Sequence, residues 1–278
     1  MDLSHLPSDF GQWRTAFYRQ WKFYIRTSRF VGLLAFVLIV VVAFTAVSIY
    51  QHASGLSGAD YMNGAAGEIG TFGIIIGAFI GGDAIAMDFG SATGYYMLVL
   101  PVKRLVLLLG RYAAAFAVTV ILILVFLAVP LLGGIYFWGV AGIPWLDLGE
   151  TFLLAALYGL AVLSTAFFFS ALFRSPAVSM VATILILFLG FLIIDAVVGT
   201  SLGYEPWFSL LYAGSVVGLP LVPQPHHTVS HTAVGGGRTI TTHIWYPYVW
   251  EGTAILFAYF VVFLALSALI YQYKESKG

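Results

Sequence analysis

The strongest constraint on this chain is a set of apolar runs as long as a bilayer is thick. Phe30 to Tyr50 contains no charged residue. At about 1.5 Å per helical residue, such a run crosses a hydrocarbon layer of about 30 Å. Comparable stretches recur at about 69–87, 105–129, 151–173, 177–198 and 252–271. With 61% hydrophobic and 9% charged residues and a mean hydropathy of +0.97, the chain falls outside the range of soluble globular domains. The expected fold class is an all-α polytopic membrane protein with six transmembrane helices, forming one membrane domain over 30–278 after a cytoplasmic N-terminus of 1–29.

Ahead of the first run, Trp13, Phe17, Trp21 and Ile25 recur every four residues, while Arg19, Lys22, Arg26 and Arg29 recur at threes and fours on another face. This predicts an amphipathic N-terminal helix in the membrane interface, aromatic side toward acyl chains and basic side toward anionic headgroups. The first apolar run starts too late for a cleavable signal peptide.

A polar loop is expected from Gln51 to Glu68. Gly73, Gly77 and Gly81 then put three small residues on one face of span two, where another span or a second copy of the chain can approach closely. Pro130 is expected near the end of span three, and Arg111 in a cytoplasmic extension or reaching for headgroups. Pro176 suits the first turn of span five. Within the outer loop of 200–250, Trp207 to Val222 is apolar but only 16 residues long, which predicts a re-entrant or surface helix. Thr228 to Ala233 and Thr239 to Trp245 flank three glycines and predict a small extracytoplasmic β-hairpin. Six spans put both termini on one side. Eleven of the twelve Lys and Arg residues then share that side, and only Arg238 lies opposite, so the positive-inside bias makes it cytoplasmic. The expected location is the cell membrane.

Between spans two and three the chain runs from Asp83 through Asp88, Thr93, Tyr95, Tyr96, Leu100, Pro101 and Arg104 into Arg111. Charge and a proline between two apolar runs predict a structured loop at a membrane face. The order of Asp88, Thr93, Leu98, Leu100, Pro101 and Arg104 resembles the first cytoplasmic loop of ABC-2 type permeases, the membrane subunits of ABC transport systems. Asp88 stands where that family usually has Glu and Ala92 where it usually has Gly; Asp83 matches an aspartate often found there. The resemblance implies that a separate ATP-binding subunit pushes on this loop. It also implies a second permease copy or paralogue, and export more often than import. Tyr95, Tyr96 and Met97 are bulky enough to fill a groove on such a partner.

The chain carries no Gly-x-x-x-x-Gly-Lys-Ser/Thr motif, so ATP hydrolysis is not expected of it, and neither an elbow-type nucleophile nor paired catalytic carboxylates are visible. Cysteine is absent and no histidine lies in a span, which excludes disulfides, thiolate metal sites and a bis-His haem. No cofactor and no nucleic-acid partner are expected. His226, His227, His231 and His243 gather in the outer loop and are weak metal candidates, a solvated loop being the favoured account. Asp83 and Asp195 are intramembrane acids about one turn from span ends, each expected to reach headgroup water or a neighbouring hydroxyl.

The function expected from these features is a permease for a hydrophobic or amphiphilic substrate, since the spans are aromatic-rich and hold few charges. The alternative is a non-transporting anchor or assembly subunit of a larger membrane complex. A secondary transporter would show midplane charges and an inverted repeat, and neither is visible.

Overall fold

A computed structural model describes residues 8–52, 57–90, 103–222, 225–235 and 238–276. Among the described residues six helices are long and apolar enough to cross a membrane: Ser28–Ser48, Gly58–Asp88, Arg104–Trp138, Trp145–Leu172, Pro176–Ser201 and Val249–Tyr273, here spans one to six. The chain is an all-α polytopic membrane protein. Its two ends can be called the termini side, where the N-terminal helix and the end of span six lie, and the hairpin side.

The N-terminal helix, Asp9–Arg26, starts at Ser8, whose hydroxyl accepts from the Gly11 amide at 3.2 Å. Trp13, Phe17 and Trp21 stack along it at centroid spacings of 5.6 and 6.1 Å. Part of this aromatic side is covered by protein rather than lipid. Gly110 of span three lies so close that a Cβ there would sit 2.8 Å from Ala16 Cβ and 2.9 Å from the Trp13 carbonyl oxygen.

Span two departs from expectation at its hairpin-side end. The segment expected to be polar loop is helical from Gly58 to Gly67, started by a reciprocal cap in which Ser57 Oγ accepts from the Asp60 amide and Asp60 Oδ2 accepts from the Ser57 amide. Small residues make the extension pack. Gly58 abuts the Gly142 carbonyl, and Tyr61 and Met62 form a small second core with Leu221 and Trp138. Span three likewise continues through Pro130 to Trp138 instead of ending near it. Pro176 does occupy the first turn of span five, which contains π-helical stretches at Leu185–Gly190 and Asp195–Ser201.

Span four is the axis of the bundle, its Tyr158, Leu163 and Phe167 completely buried. The glycine face of span two meets it, not a second copy of the chain. Ideal Cβ atoms at Gly73, Gly77 and Gly81 would fall 2.8 Å from Tyr158 Cε1, 2.4 Å from Val162 Cγ1 and 2.9 Å from Ala166 Cβ. The three partners are spaced by four residues, so the two helix faces run in register, the side chains of span four seated on bare glycines of span two. Tyr158 closes this seam by donating to the Gly70 carbonyl at 2.5 Å. Replacing Tyr158 with phenylalanine leaves that carbonyl unpaired in a dry setting and should cost about 1 kcal/mol, read as a lowered unfolding temperature in detergent.

On the hairpin side a short helix, Leu210–Gly214, continues as a 3-10 turn over Ser215–Leu221. Ser209 caps it, and Leu210, Ala213, Val216 and Val217 are wholly buried among the spans. It is therefore inserted into the bundle and does not lie on its surface. Strands β1, Thr228–Gly235, and β2, Arg238–Trp245, pair antiparallel from Thr228 opposite Trp245 to Gly235 opposite Arg238. An isolated two-stranded ribbon is marginal in water, and this one is held at its base. His227 Nδ1 bonds the Tyr246 carbonyl at 2.7 Å, and its ring stacks on Tyr248 at 4.5 Å. The same ring faces Glu205 at 3.7 Å. Glu205 also accepts from the Tyr212 hydroxyl, whose phenol is pushed up by burial and by that carboxylate.

Candidate functional site at the break in span two

Span two is interrupted near its termini-side end. The helix stops at Gly81 and resumes at Ala86, with 82–85 in turns. Two adjacent glycines weaken helix here. Gly82 is also needed for space, because a Cβ would lie 2.4 Å from the Ala78 carbonyl oxygen and 3.1 Å from Met180 Cα of span five.

A break leaves backbone donors and acceptors without helical partners, and buried ones must be matched elsewhere. Other elements supply the partners as side chains. Ser170 Oγ of span four accepts from the amides of Ile85 and Ala86 at 2.9 and 3.0 Å. The Ser179 hydroxyl of span five donates to the Gly82 carbonyl. The Tyr24 hydroxyl of the N-terminal helix donates to the Ile80 carbonyl at 3.0 Å. Burial pushes the Tyr24 phenol up, so it keeps the proton it donates.

Two carboxylates complete the collar. Asp83, only 7% exposed at its side chain, is ion-paired with Arg29 at the start of span one. Asp88 is ion-paired with Arg111 of span three and accepts from the Tyr271 hydroxyl of span six at 3.2 Å. Span one, span three, span four, span five, span six and the N-terminal helix thus each place a polar side chain on the segment 80–88.

These placements correct two expectations. Arg111 neither extends into water nor reaches headgroups: its side chain is 8% exposed and held against Asp88. Asp83 meets a guanidinium, not headgroup water or a hydroxyl. Asp195, on span five, is placed otherwise. It interacts with the Ser209 hydroxyl, while its Oδ1 is buried with no hydrogen-bond partner among the described residues.

Of the loop that follows, Thr93, Tyr95, Tyr96, Leu100 and Pro101 lie outside the described residues, while its two flanks are described. Asp88 anchors the upstream side. Downstream, Arg104 opens span three, and Lys103 is tied back to the N-terminal helix through its amide to Gln12 at 3.3 Å and its ammonium to Asp9 at 2.7 Å. The described outer histidines take separate neighbours. His226 edges a cleft of about 480 Å³ with Asn63, Glu68 and Tyr246, His227 faces Glu205, and His243 bonds Ser230. In the hairpin register His231 stands opposite Thr242, and among the described residues no group of three or more His, Cys, Asp or Glu is placed to hold a metal.

A family model described as ABC-2 family transporter protein matches residues 39–269. The chain belongs to the ABC-2 transporter family. No curated protein matches it. As an ABC-2 permease it is a membrane component of an ABC transporter, a class that generally works with an ATP-binding subunit and is not itself the ATPase. The match takes in four complete spans, two to five, with the break and the hairpin; it begins inside span one and ends inside span six. Ser170, Ser179 and Tyr271 went unmarked in the sequence, because a serine or tyrosine in an apolar run shows nothing of the backbone group it will meet. The one available signal was the Gly81-Gly82-Asp83 triplet, which is unfit for the middle of a helix.

Proposed function

We propose that this ABC-2 permease exports a hydrophobic or amphiphilic substrate across the cell membrane, driven by a separate ATP-binding subunit that docks on the loop between Asp88 and Arg104. Two permease copies, or this chain and a paralogue, form the pathway. The termini side is cytoplasmic. Counting Arg111 as buried still leaves ten basic residues on that side against Arg238 on the other.

The observation that carries this reading is the anchoring of the loop at both flanks. A loop that passes on a push must be tied to its spans, or nucleotide-driven closure is spent in bending it. Here the upstream flank is tied to span three and span six through Asp88, and the downstream flank to the N-terminal helix through Lys103. The aromatic-rich spans hold few charges, and four of these neutralise one another as the Arg29–Asp83 and Arg111–Asp88 pairs, which suits an amphiphile better than an inorganic ion.

The test is purification from the native membrane. A stoichiometric ATPase should co-purify, and its repeated absence would favour an anchoring subunit instead. In the purified pair, Pro101→Ala combined with Arg104→Ala should leave the complex in the membrane and lower ATP-driven transport by about tenfold or more, the scale of removing a mechanical contact of one to two kcal/mol. Unchanged coupling in that double variant counts against docking on this loop.

A further inference from the structure

We infer that the break in span two is a locked knuckle and that Ser170, Ser179 and Tyr271 are positioning residues, fastening it so that displacement of the loop moves spans four, five and six together with span two. This rests on the reading of the adjoining loop as the point where the ATPase pushes.

A break in a helix is ordinarily a hinge, because its unpaired backbone groups can exchange partners with water as it bends. This one is fastened instead. Two amides of the break share one hydroxyl from span four, one carbonyl is held by span five, and the carboxylate just beyond it is held by spans three and six. Bending at 82–85 would strip several buried polar groups at once, the fully buried Ser170 and Ser179 hydroxyls among their partners. The low-energy response to a push is therefore rigid movement of the segment, and the elements bonded to it must follow. A purely structural hydroxyl would be expected anywhere along span two. The seam offers a control of that kind, since Tyr158 also bonds a backbone carbonyl of span two, at Gly70, well outside the break.

The experiment uses the full-length permease with its co-purified ATPase in lipid nanodiscs. The chain has no cysteine, so spin labels can be placed cleanly at Tyr50→Cys and Trp250→Cys, which are 92% and 73% exposed at the hairpin-side ends of spans one and six. Distances between labels are measured by pulsed electron paramagnetic resonance with and without ATP and vanadate, so no cargo is required. The otherwise unaltered protein should show a shifted distance population on trapping, and so should Tyr158→Phe. Ser170→Ala, Ser179→Ala and Tyr271→Phe should each shrink that shifted population about fivefold, the scale expected for loss of one buried hydrogen bond, while the ATPase still hydrolyses ATP. A shift in these three variants as large as in Tyr158→Phe overturns the knuckle and leaves the docking reading standing. Absence of any shift in the unaltered protein, with an ATPase bound, overturns the docking reading and the knuckle with it.

Discussion

Arg111→Ala will lower the stability of this permease by about 3–5 kcal/mol, because it strands the Asp88 carboxylate in a site with little water. The pair is close to fully enclosed, with side-chain exposures of 8% for Arg111 and 17% for Asp88, so solvent screening removes little of the effect. The loss should appear as a large fall in unfolding temperature and in the yield of monodisperse protein. Replacing both partners, Arg111→Met with Asp88→Leu, should recover most of that stability, since an apolar pair of similar volume needs no counter-charge. The recovered protein should nevertheless couple poorly, because the tie from the loop to span three and to Tyr271 has gone. A single Arg111→Ala variant as stable as the parent would refute the buried pair.

The second large effect is steric. Gly77→Ala places a methyl 2.4 Å from Val162 Cγ1 and 3.2 Å from Val162 Cβ, and a valine has no flexible end to move aside. Overpacking of this kind costs about 1–3 kcal/mol, and Gly77→Leu, with a larger side chain in the same seam, should give no folded protein. Trimming the neighbour tests the cause. Val162→Ala combined with Gly77→Ala should regain stability relative to Gly77→Ala alone, a non-additivity expected only of residues in contact. Equal melting temperatures for the single and the double variant would place the glycine face somewhere other than against span four.

How much of this architecture could be read from the chain depends on how local each signal is. Six spans, the Pro176 start and the hairpin around the triple glycine follow from periodicity, length and turn chemistry within a dozen residues; spans one, five and six sit within three positions of their expected bounds, while spans two, three and four each run longer at their hairpin-side end. The helix at Gly58–Gly67 was missed although its Ser57-x-x-Asp60 cap stands in the sequence, because low hydropathy there outweighed the capping signal. Pro130 reads as a terminator, yet span three continues through it to Trp138. The collar is a different matter. Arg29 pairs with Asp83 across 54 residues and Tyr271 reaches Asp88 across 183, and nothing local to either residue announces such a partner. The charged residues could be flagged as costly in an apolar run, but their resolution is tertiary.

Tyr158 has a consequence for how the hairpin side can open. Its ring is pinched between two backbones: an ideal Cβ at Gly73 of span two would touch one edge at 2.8 Å, and one at Gly214 of the short inserted helix would touch the other at 2.7 Å. The hydroxyl is fixed on Gly70 as well. The inserted helix therefore cannot lift away like a flap while its surroundings stay put. A passage on that side must open by parting whole subunits, or by swinging spans two and four and their wedge as one body.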